Sequence, residues 1–156
     1  METCFIKSPL GPAKIVGDQN GISAISILEI GKVSTTIPLV LNDCATQLQE
    51  YFEGKRTDFD FKMNLVGSEF YLKVWDELKN IPFGKTISYL ELASNLGNPK
   101  VVRAAAVANG KNPLWVAIPC HRVISKNGSL TGYAGGLWRK KWLLEFENPT
   151  IQHSLF

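Results

Sequence analysis

The sequence predicts an α+β protein with a small strand-and-helix domain over residues 1–66 and a mainly helical domain over residues 67–156. In the first half, short β-prone runs are separated by turns rich in proline and glycine. From about residue 67 onward, apolar residues recur every three or four positions, which is the period of an α-helix. This change of period places the domain boundary next to Gly67.

Three strands are predicted at the start of the chain, because short β-branched and aromatic runs alternate there with turn sequences. The runs cover residues 4–7, 13–16 and 22–28. The turn at residues 18–21 ends in Asn20-Gly21, which favours a tight connection between neighbouring antiparallel strands. A three-stranded meander is therefore expected.

A helix is predicted over residues 44–53, with Asp43 as its N-cap and Gly54 at its end. Residues 59–63 then alternate between large apolar and charged side chains. Alternation of this kind is typical of a strand with one buried face, so a further strand is expected there.

The second half opens with a helix that Ser68 caps and that ends before Pro82. Two further helices follow in quick succession. The first has a capping box, Ser88 with Glu91 three positions later, and the second begins at Asn98 and covers residues 100–109. Two short helices joined by a tight glycine turn form a helix-turn-helix, in which the later helix is presented to a nucleic-acid groove.

The later helix of this pair carries one cation, Arg103, among small residues that let a helix approach another surface closely. Its alanines are Ala104, Ala105, Ala106 and Ala108. The alternative is a buried alanine-rich helix whose arginine reaches out to solvent. The composition of the helix leaves both interpretations open.

The rest of the second half is predicted as a strand, a turn and a helix. Residues 114–118 form an apolar run that indicates a buried strand, and residues 126–129 form a hairpin turn of the wing type. The last helix begins at about Leu137 and is predicted to direct Trp138, Trp142, Leu143 and Phe146 to the core. Its cations Arg139, Lys140 and Lys141 are predicted to be partly exposed.

Composition excludes several classes of protein. The chain has 156 residues, 45% hydrophobic and 20% charged, with no run approaching the roughly 20 apolar residues that cross a bilayer. The N-terminus lacks the basic and apolar segments of a secretory signal, so a cytoplasmic protein is expected, or a nuclear one in a eukaryote. Three cysteines without CxxC spacing and two histidines predict neither a disulfide scaffold nor a metal site.

Charge is divided unevenly along the chain. Residues 1–68 hold six Lys or Arg and eight acids, a net of −2, whereas residues 69–156 hold eleven and six, a net of +5. A basic half suggests contact with a polyanion such as nucleic acid, and a merely solvated basic surface is the alternative.

Chemistry is indicated most strongly at Pro119-Cys120-His121-Arg122, directly after the apolar run. Proline stiffens the backbone that leads to the cysteine. A neighbouring histidine and arginine favour the thiolate, which is the nucleophilic form of cysteine. Neighbours on a strand point to opposite faces, however, so Cys120 as a small buried apolar residue is the alternative.

A longer pattern around these residues resembles the O6-alkylguanine-DNA alkyltransferases. It consists of IPCHRVI at residues 118–124, GYAGGL at residues 132–137 and WLLEFE at residues 142–147. The likeness covers about residues 67–147, and the first half matches only in length and element order. The resemblance implies a ribonuclease H-like N-terminal domain and a winged-helix, helix-turn-helix C-terminal domain.

The resemblance also implies an activity. Members of this family repair DNA by flipping O6-alkylguanine, mainly O6-methylguanine but also O4-methylthymine, out of the duplex. They move the alkyl group irreversibly onto their own cysteine and are consumed by the reaction. The implied partner is double-stranded DNA containing alkylated guanine, the implied state is a monomer, and no cofactor is implied.

Site residues follow from the resemblance, position by position. Cys120 would accept the alkyl group, His121 would deprotonate it through water, and Glu147 would hold His121. Asn112 would fix the loop beside the cysteine, and Tyr89 would supply a proton to the departing guanine and help turn its nucleotide. The residues implied to bind DNA are Arg103 as a finger in the vacated base position, Ala104, Tyr89, Arg122 and Lys111. The residues implied to line the substrate pocket are Trp115, Val123, Tyr133, Ala134 and Gly135.

Three departures from the family pattern bear on these expectations. Trp115 stands where some members have proline and is expected to narrow the space for the alkyl group, so methyl transfer is the expected reaction. Lys111 stands where glycine is common, and Ala134 replaces a serine of some members. Two other functions remain open: a protein that binds alkylated DNA without chemistry, and a winged-helix DNA-binding regulator.

Overall fold

The computed structural model describes residues 1–150, and these divide into two compact units. Unit 1 contains residues 1–66 and 113–117. Unit 2 contains residues 67–112 and the described residues from 118 onward. The predicted second domain extends to residue 156, so its last part, residues 151–156, lies outside the described residues.

Unit 1 is built on an antiparallel sheet with the strand order β1-β2-β3. The strands are β1 (Glu2–Ile6), β2 (Ala13–Asp18) and β3 (Gly21–Ile27). Cys4, Ile15 and Ile25 lie opposite one another across the sheet and are buried, so one face forms the core of this unit. The predicted three-stranded meander is confirmed.

One helix, α1 (Leu39–Phe52), packs on this sheet and begins earlier than predicted. Asp43 was expected as its N-cap, but that residue lies inside the helix, where its Oδ1 accepts a hydrogen bond from Gln47 Nε2 at 3.1 Å. The N-cap is Pro38, whose φ of −54° leads directly into the first turn. The prediction was wrong because a proline can start a helix without a capping side chain.

Two predicted strands of unit 1 are reduced to single bridges. Residues 59–63 contribute one parallel bridge from Met63 to Ile22, and residues 114–118 contribute one from Leu114 to Ile25. After Leu114 the chain turns at Val116, which has φ +72° and lies in a three-residue turn closed by Ala117 N–H on the Trp115 carbonyl at 2.8 Å. The burial of residues 114–118 was predicted correctly, but the prediction that they form a strand was wrong.

Unit 2 contains four helices, two of which form the predicted helix-turn-helix. The helices are α2 (Glu69–Leu78), α3 (Tyr89–Asn95), α4 (Val102–Gly110) and α5 (Leu137–Glu147). Ser68 caps α2 through Tyr71 N–H, and Ser88 and Glu91 form the predicted capping box of α3. A 3₁₀ turn, Pro99–Val101, is capped by Asn98 and leads into α4. No helix of residues 1–150 has the length and apolar character needed to cross a membrane.

The predicted wing hairpin is only partly present. Residues 125–129 form a turn closed by Gly128 N–H on the Ser125 carbonyl at 2.8 Å. The residues that follow are not a strand. The short strand before the turn, β5 (Val123–Ile124), instead pairs in parallel with β4 (Ile87–Ser88) at the start of α3.

Helix α5 buries a face that agrees with the predicted one only in part, because Leu143 is buried as expected but the cations beside it are buried too. Arg139 and Lys140, expected to be partly exposed, are 4% and 0% exposed, whereas Trp138 is 46% exposed. The buried face consists of Arg139, Lys140, Leu143, Leu144 and Glu147. Charged residues can occupy this face because backbone carbonyls accept from Arg139 and Lys140 and the guanidinium of Arg122 donates to Glu147.

The capping box of α3 supports a prediction about stability. Ser88→Ala removes the acceptor for Glu91 N–H, so we expect the free energy of unfolding to fall by about 1 kcal/mol. Urea unfolding would measure this change. Ser94→Ala, an exposed position in the same helix, is the control and should change the unfolding free energy by less than about 0.5 kcal/mol. Equal losses in both variants would contradict a capping role for Ser88.

Candidate active site

Cys120 begins a 3₁₀ turn, Cys120–Arg122, and its side chain is buried. Its N–H donates to the Ile118 carbonyl at 2.8 Å, which fixes the backbone on either side of Pro119. Burial raises the pKa of the Cys120 thiol to about 11, although a hydrogen bond from Asn112 and the positive charge of Lys140 act in the opposite direction. At neutral pH the thiol is therefore protonated, and its use as a nucleophile requires a base.

Two buried amide side chains fix the backbone around this cysteine. Asn112 Nδ2 donates to the Ile118 carbonyl at 2.7 Å, and Asn109 Nδ2 donates to the carbonyl of Cys120 itself at 3.3 Å. Asn112 was predicted to fix the loop beside the cysteine. Asn109 was not among the predicted site residues, although Asn109-Gly110 belongs to the stretch that resembles the alkyltransferases.

His121 and Glu147 form a buried pair, with Nε2 and Oε2 2.8 Å apart. Burial alone would raise the pKa of Glu147, but the charges and hydrogen bonds of His121 and Arg122 outweigh it and hold that pKa well below its usual range. Burial lowers the pKa of His121, against the opposing effect of Glu147. At neutral pH an ionised carboxylate thus accepts from Nε2–H of a neutral imidazole.

The second nitrogen of His121 is left as an acceptor by this arrangement. Nδ1 is buried and has no hydrogen-bond partner among the described residues. A neutral imidazole that donates through Nε2 carries its lone pair on Nδ1. His121 is thus oriented to take up a proton at Nδ1 while Glu147 stabilises the resulting positive charge.

Arg122 was expected to contact DNA, but its side chain is buried against Glu147. Its Nε lies 2.8 Å from Oε1 and its Nη2 lies 2.9 Å from Oε2, which is a two-point ion pair, while Nη1 donates to the Ile81 carbonyl at 2.7 Å. This position does not fit the expectation of a DNA-facing cation. Planar guanidinium geometry matches the carboxylate, so Arg122 holds Glu147 ionised and oriented.

Lys140 was missed by the sequence analysis as a site residue. Its Nζ donates to the carbonyls of Val123, Thr131 and Gly132 at 2.7, 2.8 and 3.4 Å. Burial lowers its pKa to about 8, and the nearby Cys120 raises it. The sequence contained a signal for the burial of Lys140. This lysine precedes three other buried residues of α5 by three, four and seven positions, a spacing that places all four on one face of the helix.

Two tyrosines lie near the cysteine. Tyr89 OH donates to the Thr131 carbonyl at 3.1 Å, and its ring centroid lies 5.8 Å from Lys140 Nζ. Burial raises the pKa of Tyr89, and burial raises that of Tyr133 more strongly, with Cys120 contributing in both cases. Both phenols therefore remain protonated and able to donate at neutral pH.

The remaining residues predicted for the substrate pocket lie in different places. Val123 and Gly135 are buried in unit 2, and Ala134, directly before Gly135, is exposed in the loop that leads to α5. Trp115 belongs to the segment that packs with unit 1, where its N–H donates to the Ile25 carbonyl at 3.1 Å.

The recognition helix α4 presents a face of small side chains with two cations. This exposed face consists of Arg103, Ala104, Val107, Gly110 and Lys111. The opposite face is buried, and Trp75 Nε1 donates there to the Ala108 carbonyl at 2.9 Å. The alternative of a buried helix with only its arginine reaching solvent is therefore wrong, since Ala104 and Val107 are exposed as well.

Comparison with known protein families gives matches over both units. The family model described as "6-O-methylguanine DNA methyltransferase, ribonuclease-like domain" matches residues 2–65. The model described as "6-O-methylguanine DNA methyltransferase, DNA binding domain" matches residues 69–149. The two predicted fold types, ribonuclease H-like and helix-turn-helix, agree with these matches.

Individual relatives match over nearly the whole chain. A methylated-DNA–protein-cysteine methyltransferase of Methanosarcina acetivorans is 41% identical, with 94% of this chain and 98% of that protein covered. Mycobacterium tuberculosis OGT in complex with DNA is 40% identical, covers 96% of this chain and 94% of its own, and has a TM-score of 0.86. An O6-methylguanine DNA methyltransferase from Methanococcus jannaschii is 29% identical, with 97% of each chain covered and a TM-score of 0.66. The chain therefore belongs to the 6-O-methylguanine DNA methyltransferase family.

Proposed function

We propose that this protein repairs DNA by direct reversal, and that Cys120 is the residue that accepts the alkyl group. The observation that carries the proposal is a buried cysteine next to a neutral histidine, which a buried carboxylate orients. The substrate is O6-alkylguanine in duplex DNA, chiefly O6-methylguanine, with O4-methylthymine as a second. The reaction takes place where the cell keeps its DNA, in the cytoplasm or in a eukaryotic nucleus.

The chemical step is a single displacement at the alkyl carbon. The sulfur of Cys120 forms a bond to that carbon while the bond between the carbon and guanine O6 breaks. The bonding electron pair leaves with the guanine, which gains a proton and becomes an ordinary base. A thioether is stable and no described residue offers a way to cleave it, so each molecule acts once.

Proton transfer from the thiol is assigned to His121. Its Nδ1 is the available acceptor, and a water molecule between Nδ1 and the sulfur completes the path. Glu147 stabilises the imidazolium that forms, and Arg122 keeps Glu147 ionised by binding both of its oxygens. The pair acts as a base and its orienting group.

The departing guanine also needs a proton donor and fixed hydrogen bonds. Tyr89 is proposed for the first role because its raised pKa keeps the hydroxyl protonated at neutral pH, and this hydroxyl lies beside the Thr131 carbonyl. The N–H groups of Tyr133 and Ala134 are proposed to contact O6, and the carbonyls of Cys120 and Val123 to accept from the exocyclic amine. A carbonyl has two lone pairs, so Val123 can serve both Lys140 and the base.

The protein is proposed to bind DNA as a monomer, along the exposed face of α4. The small residue Ala104 lets the helix approach the minor groove, and Lys111 adds contact with phosphate. Arg103 is the cation that can fill the space of the flipped base. The limit that Trp115 places on alkyl size stays a prediction, which comparison of methyl and benzyl transfer rates would test.

A finger role for Arg103 predicts a difference between two substrates. Arg103→Ala should slow transfer from duplex DNA by roughly tenfold to a hundredfold, since extrusion of a base costs a few kcal/mol. Transfer from free O6-methylguanine base needs no extrusion and should be unchanged within about twofold. Lys111→Ala is the control, and should lower DNA affinity in a salt-dependent way without this difference. Equal losses on both substrates would exclude the finger role.

The proposed function is tested by incubating the protein with duplex DNA that contains O6-methylguanine, followed by intact mass measurement of both components. The expected result is one added methylene per chain, mapped to Cys120, and plain guanine in the DNA. Cys120→Ser is the control and should bind the DNA without gaining mass. Binding without mass gain by the unaltered protein would instead favour a protein that recognises alkylated DNA without chemistry.

A further inference from the structure

Arg139 lies where a cation is costly. It is in the first turn of α5, which begins at Leu137, and the N-terminus of a helix carries partial positive charge. Its side chain is also only 4% exposed, and a buried guanidinium is stable only when its donors are satisfied. The contacts that compensate for this position indicate what the residue does.

The guanidinium of Arg139 lies against a backbone carbonyl and an aromatic ring. Its Nη1 donates to the Gly135 carbonyl at 2.8 Å, and its Cζ lies 4.5 Å from the centre of the Trp138 ring. The indole of Trp138 also covers Gly136, where a Cβ atom would stand 3.6 Å from Cδ1 of the ring. The charge is thus shared between a backbone dipole and an aromatic face.

These contacts hold one turn, residues 133–136. Gly136 N–H donates to the Tyr133 carbonyl at 2.9 Å, and Gly136 has φ +92°, a conformation that favours glycine. Arg139 N–H donates back to the Gly136 carbonyl at 3.2 Å. Two successive glycines give this turn high conformational freedom, so the Arg139 contact with Gly135 restricts it directly.

The other end of the turn lies at the active cysteine. The Tyr133 hydroxyl is buried, and Lys140 Nζ donates both to the carbonyl of Gly132, which precedes Tyr133, and to that of Val123, which follows the Cys120–Arg122 turn, at 3.4 and 2.7 Å. A displacement of the turn would therefore move the groups that face the flipped base. Displacements of about 1 Å in an active site can cost a hundredfold in rate.

We propose that Arg139, with Trp138 stacked on it, is a positioning residue that fixes the turn 133–136 in the conformation that receives guanine. The inference rests on the proposed function, because it concerns the loop amides assigned to O6. Two neighbouring residues in the first turn of α5 then have different roles. Arg139 holds the turn that binds the base, whereas its neighbour Lys140 faces Val123 and Thr131.

The test compares a reaction that needs guanine recognition with one that does not. Arg139→Met keeps the length and apolar stem but removes the charge and the hydrogen-bond donors, and should slow transfer from duplex O6-methylguanine by about tenfold or more. Alkylation of Cys120 by iodoacetamide, followed by peptide mapping, should change by less than about twofold, and so should affinity for undamaged duplex. Arg139→Lys should recover part of the loss, because one donor and the charge return.

Two further variants keep the result interpretable. Trp138→Ala alters a half-exposed side chain and should produce a smaller loss with the same selectivity for the guanine-dependent reaction. Lys141→Ala, a partly exposed cation of the same helix, should change neither reaction. Equal losses in the methyl-transfer and iodoacetamide reactions, or unchanged methyl transfer in Arg139→Met, would overturn the role of Arg139. Failure of the unaltered protein to accept a methyl group would instead overturn the proposed function.

Discussion

Replacement of His121 by alanine is expected to slow methyl transfer to Cys120 by roughly a hundredfold to ten-thousandfold, the usual contribution of a general base. The reason lies in the thiol, whose pKa burial raises to about 11. At neutral pH only a small fraction of such a thiol is ionised, so its proton must be removed during the reaction. His121 is neutral there and carries its free lone pair on Nδ1.

Single-turnover measurements with excess duplex O6-methylguanine would give the transfer rate of His121→Ala directly. Affinity for the same duplex should change by less than about threefold, since His121 is fully buried. Raising the pH should rescue the variant in part, because hydroxide then ionises the thiol without a base. A rate within twofold of the unaltered protein would remove His121 from the mechanism.

Glu147→Gln is the companion variant, and its interpretation needs a stability measurement. Loss of the carboxylate leaves Arg122 buried beside a neutral amide, and disruption of a buried ion pair typically costs about 3–5 kcal/mol. Thermal unfolding would show this cost. If the variant is folded at the assay temperature, its transfer rate should fall, because imidazolium is no longer stabilised by an adjacent negative charge.

Local signals in the sequence were sufficient where structure is determined locally. Ser68 accepts from Tyr71 N–H and Ser88 from Glu91 N–H, both three residues away. Such bonds depend on the backbone of one turn and not on the rest of the fold. This is why the capped helices were predicted correctly, whereas a start at Pro38, which has no capping side chain, was not.

The buried charges of α5 could not be predicted from periodicity. The rule that apolar residues face inward placed Trp138 in the core and Arg139 and Lys140 outside. In the structure, the cations are buried because carbonyls of Val123, Thr131 and Gly135 meet them. Those carbonyls belong to segments outside the helix, and no pattern within residues 137–147 records where they lie.

In the candidate site, too, local features were predictable from the residues themselves, whereas contacts between distant residues were not. The residues alone indicated chemistry at Cys120-His121 but left a buried apolar cysteine open, because a strand would have pointed the two side chains apart; a 3₁₀ turn at residues 120–122 replaces that strand. The partner Glu147, 26 residues away from His121, came from the resemblance. The same carboxylate draws Arg122 inward, so a residue expected at the DNA surface became part of the buried network.

Replacement of Lys140 by methionine is expected to slow methyl transfer at pH 7 by about tenfold or more, since one unit of thiol pKa corresponds to a tenfold change in thiolate. Lys140 is the cation whose charge lowers the pKa of Cys120, and three backbone carbonyls hold its ammonium group in place. Methionine has a similar length but neither charge nor donors, so both effects are lost together.

The pH dependence separates the charge of Lys140 from its structural contacts. Burial lowers the pKa of Lys140 to about 8, so its positive charge is present below that pH and is lost above it. The other titratable groups close to Lys140 are Cys120, Tyr89 and His121. The pKa values of Cys120 and Tyr89 are raised, whereas that of His121 is lowered, so His121 becomes protonated only at a pH below neutral. The transfer rate of the unaltered protein should therefore level off as the pH rises past about 8, because loss of the Lys140 charge offsets the greater ionisation of the Cys120 thiol.

Lys140→Met should lack this plateau and should become faster with pH up to the titration of the thiol. Single-turnover rates between pH 6 and 10 would show the two profiles, with Lys141→Met, a change at a partly exposed position, as the control. A purely structural role predicts a parallel drop at every pH, because lost packing does not titrate. Parallel profiles would therefore refute an electrostatic role, whereas converging profiles above pH 8 would show that the ammonium charge supports the Cys120 thiolate during transfer.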